Sequence, residues 1–307
     1  MAIISTARSV LKYAPFLRKF VAHKVIPSGL FDRLILNYGI SDKWKQRVKL
    51  VCEAPDNEFI DRVPNAGLIQ KGKQIMHNGL RINAGSYYGF EEAILMHANR
   101  GVHEPQEERV FQAVLQEMAP GSVMVELGAF WSFYSMWFNK NVTNARNFML
   151  EPDEFNLESG KNNFKLNSMC GEFRHCGIGE ESGVMPNGVP TVCIDDFVRK
   201  EGIDHIHLLH ADIQGYELDM LRGAKNLFNS KSVDWVFIST HGEELHSNCL
   251  IELRKFDYLI VAGVRPLESY SVDGIIVAKR NRIGGIDRMN LSLRKGANLT
   301  EAGDSKL

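Results

Sequence analysis

The feature that most restricts the fold is a change of rhythm near residue 103. From there to about residue 280, apolar runs of strand length alternate with stretches patterned as helices. The strand-like runs are "SVMVEL" (122–127), "NFMLE" (147–151), "EFRHCGI" (172–178), "IHLLHA" (206–211), "VDWVFIST" (233–240), "YLIVAG" (258–263) and "GIIVAK" (274–279). Between them lie "SFYSMWFN", "DEFNLESGKNNFKLN", "TVCIDDFVRK", a helix from about Tyr216, and "NCLIELRKF". Such alternation predicts an α/β unit: a mainly parallel sheet with helices on both faces. Ligands of such sheets bind outside the carboxyl ends of the strands, so the residues at those ends are the ones to read.

Upstream the pattern differs. Residues 1–66 read as a basic helical extension and connector, 67–102 as a hairpin or cap segment, 103–280 as the α/β unit and 281–307 as a polar tail. Val10, Leu11, Leu17, Phe20, Val21 and Val25 recur at helical spacing, interrupted at Pro15 and Pro27. Asn78-Gly79 between two short alternating stretches predicts a hairpin. Pro105 suits the first turn of a helix, and Glu107 and Glu108 favour its positive end.

Charge bears on partners. The net value is −1, yet residues 1–50 hold ten Lys/Arg against two Asp/Glu, and the remainder holds 26 against 35. The basic segment is either a solvated helical face or a peripheral contact for a membrane surface or anionic partner. Five cysteines without a Cys-x-x-Cys pair argue for a reducing compartment and against a zinc ribbon. No apolar run reaches the roughly 18 residues of a membrane span. The first residues are too often charged for a secretory signal, so a cytoplasmic location is expected.

The first strand ends "VELGAFWSFYS", where Gly128 permits close backbone approach beside a helix N-terminus. The second ends at Glu151, placed to accept hydrogen bonds from both hydroxyls of a ribose. A helix-start acid is the plainer reading of this turn, but Asp153 fills that role alone. The turn lacks the second and third glycines of a dinucleotide fingerprint. A nucleoside without a pyrophosphate fits better, which favours S-adenosylmethionine over a nicotinamide dinucleotide.

"VMVELGAFWSFYSMWF", "MLEPDEFNLESGKNNFKLN", "VCIDDFV" and "LLHADIQGYELDMLRGA", in that order, resemble the FkbM family of S-adenosylmethionine-dependent methyltransferases over roughly residues 103–280. "HNGLRINAGSYYG" and "HEPQEE" resemble a bacterial subgroup of it. The resemblance implies a Rossmann-like, seven-stranded methyltransferase sheet and O-methylation of a sugar or natural product. It further implies that Glu126, Gly128, Ala129 and Ser132 line the methionine part of the cofactor, that Glu151 holds the ribose, and that Cys176, Gly177 and Ile178 lie near adenine. Asp195 and Asp196 match the family's acidic pair, and Asp212 and Gly215 its Asp-x-x-Gly. Three positions depart from it. Ser132 replaces a usual glycine, His210 a lysine and Gln214 a glutamate, so acid–base roles of that lysine and glutamate do not transfer.

Transfer to a hydroxyl requires its proton to be removed, or its oxygen to be polarised by a metal. His241 at the end of the fifth strand is the expected base, since histidine titrates near neutrality. Asp212 orients the acceptor or, with His241, binds a divalent metal; His210 is the third catalytic candidate. Each has a plainer role: His210 as a satisfied core residue, Asp212 as a helix cap, His241 as a backbone partner. His103, Glu104, Gln214, Gly215 and Trp131 are expected on the acceptor side, against capping for the first two and packing for the last. The expected partner is a small-molecule or glycan acceptor. The alternatives are a nucleic-acid methyltransferase, opposed by the acidic catalytic half and the lack of an Asn-Pro-Pro-aromatic motif, and a binding or membrane-associated protein that retains the fold without turnover.

Overall fold

The computed structural model describes residues 30–294. The expectations for Val10 to Val25, the proline interruptions, the first 29 residues of the basic N-terminal segment and the tail beyond 294 lie outside the described residues.

The chain enters through helices α1 (Leu30–Leu36) and α2 (Asp42–Glu53) and a 3₁₀ turn at Pro55–Phe59. Ser41 starts α2 by accepting the Trp44 N–H on its side chain. Strands β1 (Ile69–Gln70), β2 (Lys73–Ile75) and β3 (Arg81–Asn83) form a small antiparallel sheet. β2 and β3 make the hairpin around Asn78-Gly79, with Ile75 opposite Arg81 and Gly79 at φ +83°. Helix α3 (Phe90–Ala98) completes this cap.

The alternating unit runs α4 (Pro105–Leu115), β4 (Val123–Leu127), α5 (Phe133–Asn141), β5 (Arg146–Glu151), α6 (Glu154–Leu166) and β6 (Glu172–His175). Next come β7 (Gly177–Ile178), β8 (Gly183–Val184), β9 (Pro190–Val192), α7 (Ile194–Glu201) and β10 (Ile206–Ala211). Helices α8 (Glu217–Gly223) and α9 (Lys225–Asn229), β11 (Val233–Thr240), α10 (Glu243–Lys255), β12 (Tyr258–Val264) and β13 (Gly274–Arg280) close it.

The seven-stranded sheet has the order β12-β13-β11-β10-β4-β5-β6. Only β13 is antiparallel to its neighbours β11 and β12. This is a Rossmann-like sheet, and its strand order reverses between β4 and β10.

The strands read as near-continuous apolar runs because both faces are covered. Met124, Met149, Leu208 and Phe237 pack with Phe111 of α4, Trp137 of α5 and Met76 and Ile82 of the cap. Their neighbours Val125, Leu150, Leu209 and Val236 pack on the other face with Phe197 of α7, Leu221 of α8 and Leu253 of α10. Full burial of a side chain such as Phe111 contributes about 1.5–3 kcal/mol.

One expected element differs. The run 172–178 divides at Cys176: β6 stays on the main sheet edge, while β7 pairs with β9 in a separate small sheet. Local pattern cannot register that Gly177–Ile178 finds its partner in a later, irregular segment. Helix α10 also starts earlier than its apolar pattern indicates, at Glu243, with acidic residues in its first turn.

Candidate active site

The crevice at the reversal point is built on Gly128. Its N–H and that of Ala129 both donate to the Leu150 carbonyl, while the Asp212 N–H donates to Leu127. Gly128 has φ +71°, and a Cβ there would lie 1.9 Å from the Asp212 carbonyl oxygen. Glycine thus lets the β4 and β10 loops meet back to back. Phe130 and Ser132, at φ +39° and +59°, bend the rest of the loop.

Above this floor lies a cavity of about 350 Å³ whose lining includes Tyr88, Gly128, Phe130, Glu151, Gly177, Ile178, Met185, Asp212, Ile213 and Gln214. Glu151 ends β5 and is 5% exposed. Its Oε2 accepts the Phe130 N–H at 3.0 Å and its Oε1 the Asp153 N–H at 2.9 Å. Each oxygen keeps one further lone-pair direction. Burial raises its carboxyl above the ordinary range, opposed by those two backbone bonds.

These residues fit S-adenosylmethionine. The carboxylate suits two ribose hydroxyls, and Phe130, Ile178, Met185 and Ile213 offer apolar walls to a purine. A pyrophosphate is poorly served, because the Phe130 N–H of the turn is already engaged by Glu151.

Beside the cavity, carboxylates converge on His241. Its Nδ1 lies 2.8 Å from Glu217 Oε1; its Nε2 lies 3.2 Å from Asp212 Oδ1 and 3.4 Å from Asp273 Oδ1. Glu217 is fully buried and also accepts the Ile213 and Gly215 N–H groups. Burial lowers the imidazole pKa, but bonds to Asp212 and Glu217 and the Asp212 and Asp273 charges outweigh it, raising it to about 11. The Gln214 Nε2, which donates to Asp212 Oδ1 at 3.0 Å, lies 2.7 Å from His241 Nε2. A donor there would favour a neutral ring. One neutral hydrogen bond is worth about 1 kcal/mol, whereas each pKa unit corresponds to about 1.4 kcal/mol. The carboxylates therefore decide the charge, and the Gln214 amide keeps its N–H on Asp212.

The expected general base is thus already protonated at neutral pH, for a reason visible only in three dimensions. Asp212 moves the opposite way. Burial raises its carboxyl, but the bond and charge of His241 and the charge of His210 leave it below the ordinary range.

Gly128, Glu151, Gly177, Ile178, Asp212 and Gln214 share the cavity lining. Gly215 adjoins them at φ +106°, with its N–H on Glu217. Ala129, Cys176 and Ser132 lie buried outside the lining. Ser132 is directed toward α6, where a Cβ on Gly160 would lie 2.3 Å from its Oγ. Trp131 is stacked between Tyr87 and Phe133, at 4.6 and 5.0 Å. Asp195 caps α9 by accepting the Asn226 and Leu227 N–H groups, and Asp196 accepts the Ser182 hydroxyl.

The remaining candidates form a buried layer beneath the crevice. Glu126 accepts the Ser135 N–H at 3.2 Å, and burial pushes its carboxyl up to about 7. His210 Nε2 lies 2.7 Å from Glu107 Oε1, and the Ser239 hydroxyl donates to the other Glu107 oxygen. His103 bridges Glu104 and Glu108, at 3.2 and 2.6 Å, while the Tyr134 hydroxyl donates to Glu104. Glu107 and Glu108 lie in the first turn of α4, as read, and also hold this layer together.

Tyr88, Phe130, Glu217 and Asp273 were missed. Tyr88 comes from the cap, and Asp273 precedes the reversed strand β13. A search of strand ends passes over both; the Gly/Tyr cluster in "AGSYYG" and the acid before "GIIVAK" are the available signals.

Among the described residues, the cluster spaced to hold an ion is His205, His207 and Asp234. It lies at the amino ends of β10 and β11, away from Asp212 and His241. His207 Nδ1 accepts the Val123 N–H, and Asp234 is bridged by Arg280 and His205. With Nδ1 accepting, neutral His207 carries its proton on Nε2, so metal binding there would require losing the Val123 bond.

A family model described as "Methyltransferase FkbM domain" matches residues 98–260. No curated protein matches the chain. Among solved structures, the precorrin-6y C5,15-methyltransferase from Geobacter metallireducens GS-15 is similar at 15% identity and a TM-score of 0.40, covering 57% of this chain and 89% of that one. The M. capricolum TrmK structure, a complex with S-adenosyl-homocysteine, is similar at 12% identity and 0.39, covering 61% and 71%. The ribosomal protein L11 methylase from Lactobacillus delbrueckii subsp. bulgaricus is similar at 12% identity and 0.40, covering 59% and 80%.

Proposed function

The chain belongs to the methyltransferase FkbM domain family, and from that premise we propose that it is an O-methyltransferase acting on a hydroxyl of a sugar or natural-product-like small molecule. The observation that carries the cofactor half of this reading is Glu151, fixed at the β5 end by two backbone donors and open to the cavity. Bound there, S-adenosylmethionine supplies a methyl group already activated by its sulfonium.

The chain's own residues bind, orient and charge the site. Glu151 accepts from the ribose hydroxyls, the close approach at Gly128 keeps the floor shallow, and Ile178 and Met185 flank the base. Asp212, held by Gln214 and His241, faces the side on which the acceptor approaches. Its second oxygen suits an acceptor hydroxyl, and alignment of that oxygen with the methyl group supplies much of the rate.

The acceptor reading is supported by charge. Among the described residues, the cavity lining contains Glu151, Asp212 and Asp219 and no lysine or arginine. Such a surface repels phosphates and tolerates neutral hydroxyls, which favours a small acceptor over nucleic acid. No helix of the described residues is long and apolar enough to cross a membrane. With the cysteines of the described residues all free, a cytoplasmic setting fits this reading.

The test is incubation with S-adenosylmethionine isotopically labelled in its methyl group and an extract of the host, followed by isolation of the labelled product. A labelled methyl ether on a small molecule is expected. Label on a nucleobase, on a protein side chain, or on nothing overturns the reading.

A further inference from the structure

We infer, on the hydroxyl-transfer reading above, that Asp273 is the catalytic residue that accepts the proton of the acceptor hydroxyl. β13 runs against β11, with Gly274 paired to Thr240. The residue before an antiparallel strand therefore lands among the carboxyl ends of the parallel ones. Asp273 adjoins His241 there, with Oδ1 3.4 Å from Nε2 and the side chain 21% exposed.

Its position is tightly held. A Cβ on Gly274 would lie 2.6 Å from Pro266 and 2.7 Å from the Thr240 hydroxyl, so the following backbone has no room to shift. The Ser271 hydroxyl donates to the Asp273 carbonyl, and Ser269 and the Tyr270 N–H are tied to Gln106 of α4.

The other groups are committed elsewhere. Glu217 is buried and spends both oxygens on His241 and backbone N–H groups. His241 is charged. Glu104 Oε2 receives Tyr134 and His103. Asp212 is bonded by Gln214 and His241, which makes it a weak base. The Asp273 carboxylate meets only His241 among the described residues.

The groups facing it are His241 on β11, Asp212 after β10, Glu104 before α4, Arg47 on α2 and the Tyr88 phenol from the cap. Burial raises the Asp273 carboxyl to about 7; Asp212 and Glu104 add to that, and His241 and Arg47 oppose it. A base poised near the working pH combines availability with driving force.

In the step, the acceptor O–H bond breaks and its proton goes to Asp273. The oxygen forms the new bond to the methyl carbon, and the carbon–sulfur bond breaks with its electron pair left on sulfur as a neutral thioether.

The test compares wild type with Asp273→Asn and Asp273→Glu on the extract fraction that wild type labels, from about pH 5.5 to 9. S-adenosylhomocysteine calorimetry and thermal unfolding serve as controls. Asp273→Asn should lose transfer about 100-fold or more, with calorimetric affinity within about twofold. The acid limb of the wild-type profile, centred at about 7, should vanish, and Asp273→Glu should recover part of the rate. In protein carrying ¹³C at its aspartate carboxyls, the resonance missing from Asp273→Asn should titrate at about 7.

Transfer by Asp273→Asn within about threefold of wild type, or a carboxyl titrating below about pH 5, overturns the inference alone. A wild-type chain that binds S-adenosylhomocysteine yet labels no hydroxyl overturns the hydroxyl-transfer reading and this inference with it.

Discussion

Replacing Glu151 with glutamine removes one atom's worth of chemistry and leaves the shape. The native carboxylate accepts two backbone donors, Phe130 N–H at 3.0 Å and Asp153 N–H at 2.9 Å, one on each oxygen. An amide has one carbonyl oxygen, so its NH₂ must face one of these donors. A buried donor left unmatched costs about 1–3 kcal/mol, which should lower the unfolding midpoint by a few degrees at about 2–4 °C per kcal/mol. Binding loses a second quantity. A hydrogen bond to a charged acceptor contributes about 1.5–3 kcal/mol, so affinity for S-adenosylhomocysteine should fall roughly 10- to 150-fold. Calorimetry on Glu151→Gln measures this, with thermal unfolding separating folding from binding. Because burial raises this carboxyl and binding uses its ionised form, wild-type affinity should also decline as pH falls through its pKa, from above the ordinary range. The reasoning is refuted if Glu151→Gln keeps its affinity within about twofold and melts as a native chain.

Four other outcomes are expected. Gly128→Ala combines a left-handed backbone, roughly 1–2 kcal/mol, with a Cβ 1.9 Å from the Asp212 carbonyl. It should lose about 3 kcal/mol or more, and an unchanged denaturant midpoint would contradict the close approach of the two loops. Glu107→Ala strands buried His210 and Ser239 and should destabilise by about 3–5 kcal/mol; a chevron or denaturant titration reads this directly. Glu108 has its carboxyl held far below the ordinary range: burial raises it, but the charge and bonds of His103 and His77 prevail. Its stabilisation is complete above the unfolded value of about 4.3 and fades as pH falls toward the folded one. Glu108→Gln should flatten the acid fall of the melting temperature, and parallel curves would argue against the network. Methyl transfer should persist after EDTA treatment, since a protonated His241 Nε2 offers a metal no lone pair; loss restored by a divalent ion would reject that protonation state.

Much of the architecture was legible because it follows from local periodicity. "IHLLHA" and "VDWVFIST" occupy β10 and β11 at the expected bounds. Asn78-Gly79 makes its hairpin because glycine supplies the positive φ that such turns require. Gly128, Glu151 and Asp212 were readable as strand-end residues and do line one cavity. The break at Cys176 was not, since pairing between residues 177–178 and 190–192 leaves no local mark. Asp273 was passed over because a reversed strand brings the residue before its start, not the one after its end, to the site. Tyr88 reaches the cavity from a separate segment of the chain.

By itself, then, the sequence determined the order of strands and helices and the acids and glycines at the strand ends, because these depend on neighbours along the chain. Only the tertiary structure decided which of those groups carry protons. His210 meets Glu107 across 103 residues, and His241 meets two acids from the turn and helix start after β10 and a third from the residue before β13. Coulomb energy depends on separations of a few ångströms through a poorly polarisable interior, and those distances exist only in the folded chain.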